Sequence, residues 1–229
     1  MAESERLRAI VLRRTNYGEA DRILQLLTPK GKRSVMAKGA RRERSKLAGG
    51  IELFALCDVV LRSGRGDLAL LTSSRLVAFY RHILEDYDRM QFAYTSMKLI
   101  ASACEDIESP EWYYVLAATL EHLDKPTANR QLIETWFYLR YSALLGNEIN
   151  LRLDVSGNKL DPDRLYMYDE SEKALRAAEQ GGIGADHIKL LRLIDAKSLE
   201  QIVQIGGIEA VIADCWLLAR QAAAGLLTG

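Results

Sequence analysis

The sequence predicts an α+β protein: a small closed β-barrel over residues 1–80, then an all-helical domain over residues 81–229 with an irregular insertion at 147–185. Three observations predict it. Five short β-branched or leucine-rich runs bounded by turn residues fill the first stretch, roughly 75 residues long. After Tyr80 the apolar period changes from two to 3.6. The charge divides at the same place: residues 1–80 hold 16 Lys or Arg against 8 Asp or Glu, and residues 81–229 hold 15 against 23. A formal net charge of zero therefore conceals a basic half and an acidic half.

Arg8 to Arg13 and Arg22 to Thr28 read as the first two strands, divided by the turn signal Asn16-Tyr-Gly18. Pro29-Lys-Gly-Lys32 marks a second turn, and Arg33 to Ala37 a third strand. Leu53 to Arg62 and Leu68 to Ser74 follow, joined by a glycine-containing hairpin connection, Ser63 to Asp67. Gly18, Gly31, Gly39 and Gly64 are assigned to turns that need positive φ. In the second half Trp112, Val115, Leu116, Thr119, Leu120 and Leu123 share one helical face, with Ser109 as N-cap and Pro110 as first helical residue. Leu132, Ile133, Trp136, Phe137, Arg140, Ala143 and Leu144 form a second stripe, ended by Gly146. Ser198 to Gln201 is a capping box that opens a short helix. Ile208, Val211, Ile212, Cys215, Leu218, Ala219 and Ala222 form the last stripe. Asn147 to Gly184 lacks any period and gathers turn residues, which suggests a hairpin or irregular segment.

Several function classes are disfavoured. No apolar stretch approaches the roughly 18 residues that span a bilayer, and Met1 to Arg8 is not followed by a secretory core. No membrane partner and a cytoplasmic location are expected. The three cysteines, Cys57, Cys104 and Cys215, are far apart in apolar segments, which fits a reducing compartment. There is no G-x-x-x-x-G-K-[ST] loop and no spaced ligand cluster, so neither a cofactor nor a metal nor an enzymatic activity is expected. Glu19 and Asp21 flank the first turn without a proton-relay partner and are read as turn-shaping residues. His82, His122 and His187 are scattered, and Trp112, Trp136 and Trp216 sit on apolar stripes as core.

The first 46 residues hold 13 Lys or Arg against 5 Asp or Glu, and the densest run is Lys38-Gly-Ala-Arg-Arg-Glu-Arg-Ser-Lys46. A basic loop on a small barrel suits a phosphate backbone. Arg14, Lys30, Lys32, Arg33, Lys38, Arg41, Arg42, Arg44 and Lys46 are the expected DNA contacts. Tyr17, Phe54, Phe79 and Tyr80 are the whole aromatic complement of residues 1–80, so sequence-independent grip on the backbone is expected rather than base stacking. The plainer alternatives are a solvating loop, a dock for acidic proteins, or an RNA-binding barrel. The acidic clusters Glu85-Asp-Tyr-Asp88, Glu105-Asp-Ile-Glu108 and Asp169-Glu-Ser-Glu172 would confine DNA to the barrel and leave the helical half to proteins.

One ordered set of segments has a family likeness: Ala9-Ile-Val-Leu12, Tyr17-Gly-Glu-Ala-Asp-Arg22, Leu26-Leu-Thr-Pro-Lys-Gly31, then Ala37-Lys-Gly-Ala-Arg41 and Ser45. It resembles the N-terminal domain of RecO, the bacterial recombination mediators and annealing proteins, sharply over about residues 9–80 and diffusely beyond. The resemblance implies an OB-fold barrel followed by a helical domain, and binding of single- and double-stranded DNA. It further implies annealing of complementary strands, cooperation with RecR and single-strand-binding protein in loading RecA, and a place on the nucleoid. The helical domain would receive the acidic C-terminal tail of single-strand-binding protein, with Arg130, Arg140, Lys189 and Arg192 as candidate cations. The family often carries a four-cysteine zinc site. Here residues 147–187 offer no cysteine and one histidine, His187, and Leu153-Asp-Val-Ser-Gly157 stands where a CxxCG would. Packing of Leu160, Leu165, Tyr166 and Tyr168 is expected to hold that segment instead.

Overall fold

The computed structural model describes residues 4–63 and 68–226, so residues 64–67 of the expected hairpin connection lie outside the described residues, as do 1–3 at the N-terminus. Two compact units emerge, Met1–Asp124 and Lys125–Gly229, so the first two helices belong with the barrel rather than with the remaining helices.

The first unit opens with five strands, β1 (Ser4–Tyr17), β2 (Asp21–Thr28), β3 (Gly31–Ala37), β4 (Ala55–Arg62) and β5 (Leu68–Phe79). They close in the order β1-β2-β3-β5-β4, with every pairing antiparallel except the short parallel match of Ser34–Met36 to Leu68–Leu70. β1 serves both halves of the barrel. Its first half pairs with β4, its second with β2, and a register shift between Val11 and Arg13 turns the strand from one to the other. Alternation puts Leu7, Ala9, Val11, Leu24, Leu26, Val35, Cys57, Val59 and Leu61 inside, where they are almost wholly removed from water.

α1 (Tyr87–Asp106) and α2 (Glu111–Leu123) complete the unit. α1 is a 20-residue helix that the stripe analysis passes over, because its buried face is built largely from Ala93, Ser96, Met97 and Ala103 with Phe92 and Ile100. Asp86 caps it, accepting the Arg89 N–H at 3.0 Å. Tyr94 sets its ring edge-on to Phe54 at 4.8 Å. α2 begins one residue later than expected. Pro110 occupies the cap position, while the Ser109 hydroxyl still accepts the Glu111 N–H at 3.3 Å. Trp112 is fully buried and donates to the Ile107 carbonyl at 3.0 Å.

The second unit contains α3 (Arg130–Leu144), β6 (Asn150–Asp154), β7 (Tyr166–Asp169), β8 (Ala174–Ala177), α4 (Ala185–Ala196), α5 (Leu199–Ile202) and α6 (Ile212–Ala224). Every residue from Leu132 to Leu139 is buried, the polar Glu134 and Thr135 included, because α6 packs on one side of α3 and α4 and α5 pack on others. The stripe read from sequence was only part of that burial. α4 is a helix additional to the expected ones, and α6 starts at Ile212 rather than Ile208. The insertion is not irregular: β6, β8 and β7 make a three-stranded sheet, β8 running parallel to β6 and antiparallel to β7. No helix among the described residues is long and apolar enough to cross a membrane.

Burial pushes the thiols of Cys57 and Cys104 up to about 11 and that of Cys215 up to about 12. Iodoacetamide at pH 8 should therefore modify the native protein slowly and all three thiols readily after denaturation. Rapid labelling of the native chain would contradict this packing.

Candidate nucleic-acid interface

Two motifs far apart in sequence form one structural joint. The turn at Gly18 to Asp21 faces the start of the 38–47 loop. The Asp21 carboxylate accepts the Gly39 N–H at 2.7 Å, the Ala20 carbonyl accepts the Arg41 N–H at 2.8 Å, and the Arg41 guanidinium donates to the Gly18 carbonyl at 3.2 Å. Gly39 sits at φ +65° and Ala40 is buried, so the loop backbone is pinned as it leaves β3. Asp21 is thus a loop anchor rather than a catalytic group. Lys38, Arg41, Arg42, Arg44 and Lys46 remain exposed, and none makes an ion pair among the described residues. A pinned backbone carrying unpaired cations can meet phosphates without first ordering the chain.

The other expected contacts are placed differently. Arg14 is ion-paired with Glu52. The Lys32 ammonium lies 2.7 Å from Glu105 and 3.1 Å from the Ala101 carbonyl, with its side chain only 19% exposed. It clips β3 to the end of α1, and Glu105, expected to repel DNA, is held below the usual carboxylate range by that contact. Lys30 pairs with Glu5 at 2.6 Å, and Arg33 donates to the Lys32 carbonyl at 3.0 Å. Lys30 and Arg33 sit at the β2–β3 turn, whereas the 38–46 loop leaves from the other end of that hairpin. At ~3.4 Å per residue the two groups are about 20 Å apart along it. The nine cations therefore do not make one patch.

The structure also assembles cations that sequence reasoning missed. On the outer face of β1, β4 and β5, cross-strand rows read Arg8–Asp58–Arg75, then Arg6–Val60–Ser73, then Ser4–Arg62–Leu70. Asp58 receives Arg8 at 3.2 Å and Arg75 at 2.8 Å, and the two guanidiniums hold its carboxyl below the usual range. Arg6 and Arg62 make no ion pair among the described residues. No run of charge announces these arginines, since none of them has another cation as its immediate neighbour in the chain. The signal available was the outward alternation at 6 and 8 on β1.

In the second unit the four candidate cations part ways. Arg130 lies 2.5 Å from Glu134, a buried carboxylate that also accepts the Trp216 indole N–H at 2.5 Å. Arg140 closes the C-terminal end of α4, donating to the Asp195 and Lys197 carbonyls at 2.5 and 3.2 Å, with its guanidinium 5.8 Å from the Trp136 ring centre. Lys189 pairs with Asp186 on the surface of α4. Arg192 donates to the Leu151 carbonyl at 2.8 Å and, with Arg152 and Lys159, rims an open groove of about 660 Å³ lined by Leu153 and Leu160.

The segment expected to replace a zinc site is closed by aspartates. Asp154 accepts the N–H groups of Ser156 and Asn158, both at 2.9 Å. Asp169 accepts the N–H groups of Ser171 and Glu172, each at 3.1 Å, the Ser171 hydroxyl, and Arg176. Among the four residues expected to pack the hairpin, Tyr166 alone is buried; Leu165 is exposed, and Leu160 and Tyr168 are half-buried. The described residues hold no group of histidine, cysteine and carboxylate ligands suited to a metal.

The closing order β1-β2-β3-β5-β4 defines the class: an OB-fold barrel bearing a pinned cationic loop, continued by helices. Family models place it further. That of the Recombination protein O N terminal matches residues 1–80, and that of the Recombination protein O C terminal matches residues 84–221; the chain belongs to the RecO family. It is similar to the DNA repair protein RecO of Roseiflexus sp. (strain RS-1), 36% identical over 124 residues, which are 54% of this chain and 44% of that protein. The protein of the same name from Desulfatibacillum aliphaticivorans is 33% identical over 142 residues, 60% of this chain and 55% of that one. The one from Dehalococcoides mccartyi (strain ATCC BAA-2266 / KCTC 15142 / 195) is 30% identical over 206 residues, 86% of this chain and 81% of that one. The first two matches span about half of those relatives.

Proposed function

We propose that this protein acts in DNA repair and recombination by gripping strands through their phosphates and annealing complementary ones. It is not read as an enzyme, and its place is in the cytoplasm at the nucleoid. The observation that carries the reading is the 38–46 loop, whose backbone is tied to the β1–β2 turn while its five cations stay exposed and make no ion pair among the described residues. Such a surface neutralises phosphate repulsion without occupying base edges, which leaves the bases free to pair. RecR is the expected partner in loading RecA onto strands covered by single-strand-binding protein. The acidic tail of that protein is assigned to the groove rimmed by Arg152, Lys159 and Arg192, where Leu153 and Leu160 would meet an apolar end and the cations its carboxylates.

The test is annealing of two labelled complementary DNA strands, with and without an excess of RNA of one strand's sequence. Acceleration at least tenfold over the spontaneous rate is expected, with little inhibition by the RNA. No acceleration, with no strand bound at low salt, would leave an adaptor for acidic proteins as the better reading; preference for RNA would make this an RNA-binding barrel.

A further inference from the structure

We propose that the outer face of β1, β4 and β5 is a second phosphate-binding face, which holds one strand while the 38–46 loop holds the other. The inference rests on the nucleic-acid reading above and assigns it a two-site geometry.

The face is formed by two adjoining depressions. One, of about 530 Å³, is lined by Arg6, Lys30, Arg33 and Arg62 together with Ser4, Glu5 and Ser63. The other, of about 300 Å³, is lined by Arg6, Asp58, Val60, Ser73 and Arg75. Arg6 belongs to both and joins them. Six cations, with Arg8 beside Asp58, face two carboxylates. One of those carboxylates is shared by Arg8 and Arg75 and the other is held by Lys30, so among the described residues Arg6 and Arg62 have no carboxylate partner. Successive rows are two residues apart, about 6.7 Å, so the cations form a track along the strands rather than a point. Hydroxyls of Ser4, Ser63 and Ser73 stand among them as neutral donors, and the lining contains no aromatic ring. This is the chemistry of a phosphate backbone, not of a stacked base.

The Lys30 and Arg33 end of the face is separate from the root of the loop in the electrostatic sense, whereas Arg75 follows Ser74, whose hydroxyl donates to the Gly50 carbonyl just past the loop's far end. Lys30 and Arg33 stand about 20 Å from the root of the loop, against a screening length of about 8 Å at physiological salt. Two strands, each neutralised at its own site, can approach on one barrel where in free solution they repel.

The test is the number of short strands bound per chain, read by native mass spectrometry and calorimetry at low salt with non-complementary DNA 8-mers. The wild type is expected to bind two. Arg6→Ala/Arg62→Ala should bind one, Arg41→Ala/Arg42→Ala/Arg44→Ala should also bind one, and either set should slow annealing at least tenfold. Arg6→Lys/Arg62→Lys should restore two strands, which separates lost charge from lost fold; unchanged melting curves give the same check. A wild type that binds only one 8-mer, or an Arg6/Arg62 variant that still binds two, overturns the two-site geometry and leaves the loop reading intact. A wild type that binds none overturns both.

Discussion

Replacing Arg41, Arg42 and Arg44 together by Ala should cut affinity for single-stranded DNA about a hundredfold at 0.1 M salt. Each phosphate contact contributes about 0.7 to the slope of log K against log salt on single strands, so three lost contacts should flatten that slope by about 2. Thermal stability should stay within about 0.5 kcal/mol of wild type, because these side chains are exposed, the Gly39 and Arg41 N–H anchors remain, and the one tether lost, from the Arg41 guanidinium to the Gly18 carbonyl, is solvent-exposed. The Asp21→Ala variant separates the two roles: it keeps every cation and removes the carboxylate that accepts the Gly39 N–H. It should weaken binding several-fold with little change in salt slope. An unchanged slope in the triple variant would remove the loop from the interface.

The second large effect concerns the three-stranded sheet of β6, β8 and β7. Tyr166 is 1% exposed, its hydroxyl accepts the Asp161 N–H at 2.7 Å, and its backbone exchanges hydrogen bonds with Ile183 at 2.9 and 3.0 Å. Truncation to Ala should cost about 3–5 kcal/mol, as for other buried large aromatic residues. Tyr166→Phe should cost about 1 kcal/mol, the worth of one hydrogen bond. Gly181→Ala should also be damaging, since its added carbon would lie 2.5–2.7 Å from the Tyr166 backbone, which cannot give way without opening the sheet. Denaturant unfolding with far-UV dichroism measures all three, and zinc should rescue none. A Tyr166→Ala protein less than about 1 kcal/mol below wild type would mean that packing does not hold this segment. The acid side is different. Hydrogen bonds from Ser171 and Arg176 hold the Asp169 carboxyl well below the usual carboxylate range. Its closure of the turn is therefore present above the ordinary carboxylate pKa and is lost only as pH falls through the depressed one.

The barrel was legible because its signals are local. Period-two runs and the turns at Gly18 and Gly31 lie within a few residues, and both glycines do take positive φ. Gly39 does so as well, while Gly64 lies outside the described residues. The helices around Trp112 and Trp136 were legible for the same reason, being marked by large apolar residues at helical spacing. α1 was not, because Ala, Ser and Met bury a face without announcing it by hydrophobicity. The small sheet was not, because a four-residue strand is too short to show a period.

The site divides in the same way. The sequence by itself determined that the barrel would be basic and that its densest charge would lie on a loop between strands, since composition and spacing state these directly. Only the tertiary structure decided which cations are free. Arg14 meets Glu52 and Lys32 meets Glu105 across 38 and 73 residues, while Arg6 and Arg62 come together because β1 and β4 pair. A charge run is a property of the chain, but whether a given charge is neutralised or exposed depends on what the fold places within about 4 Å of it.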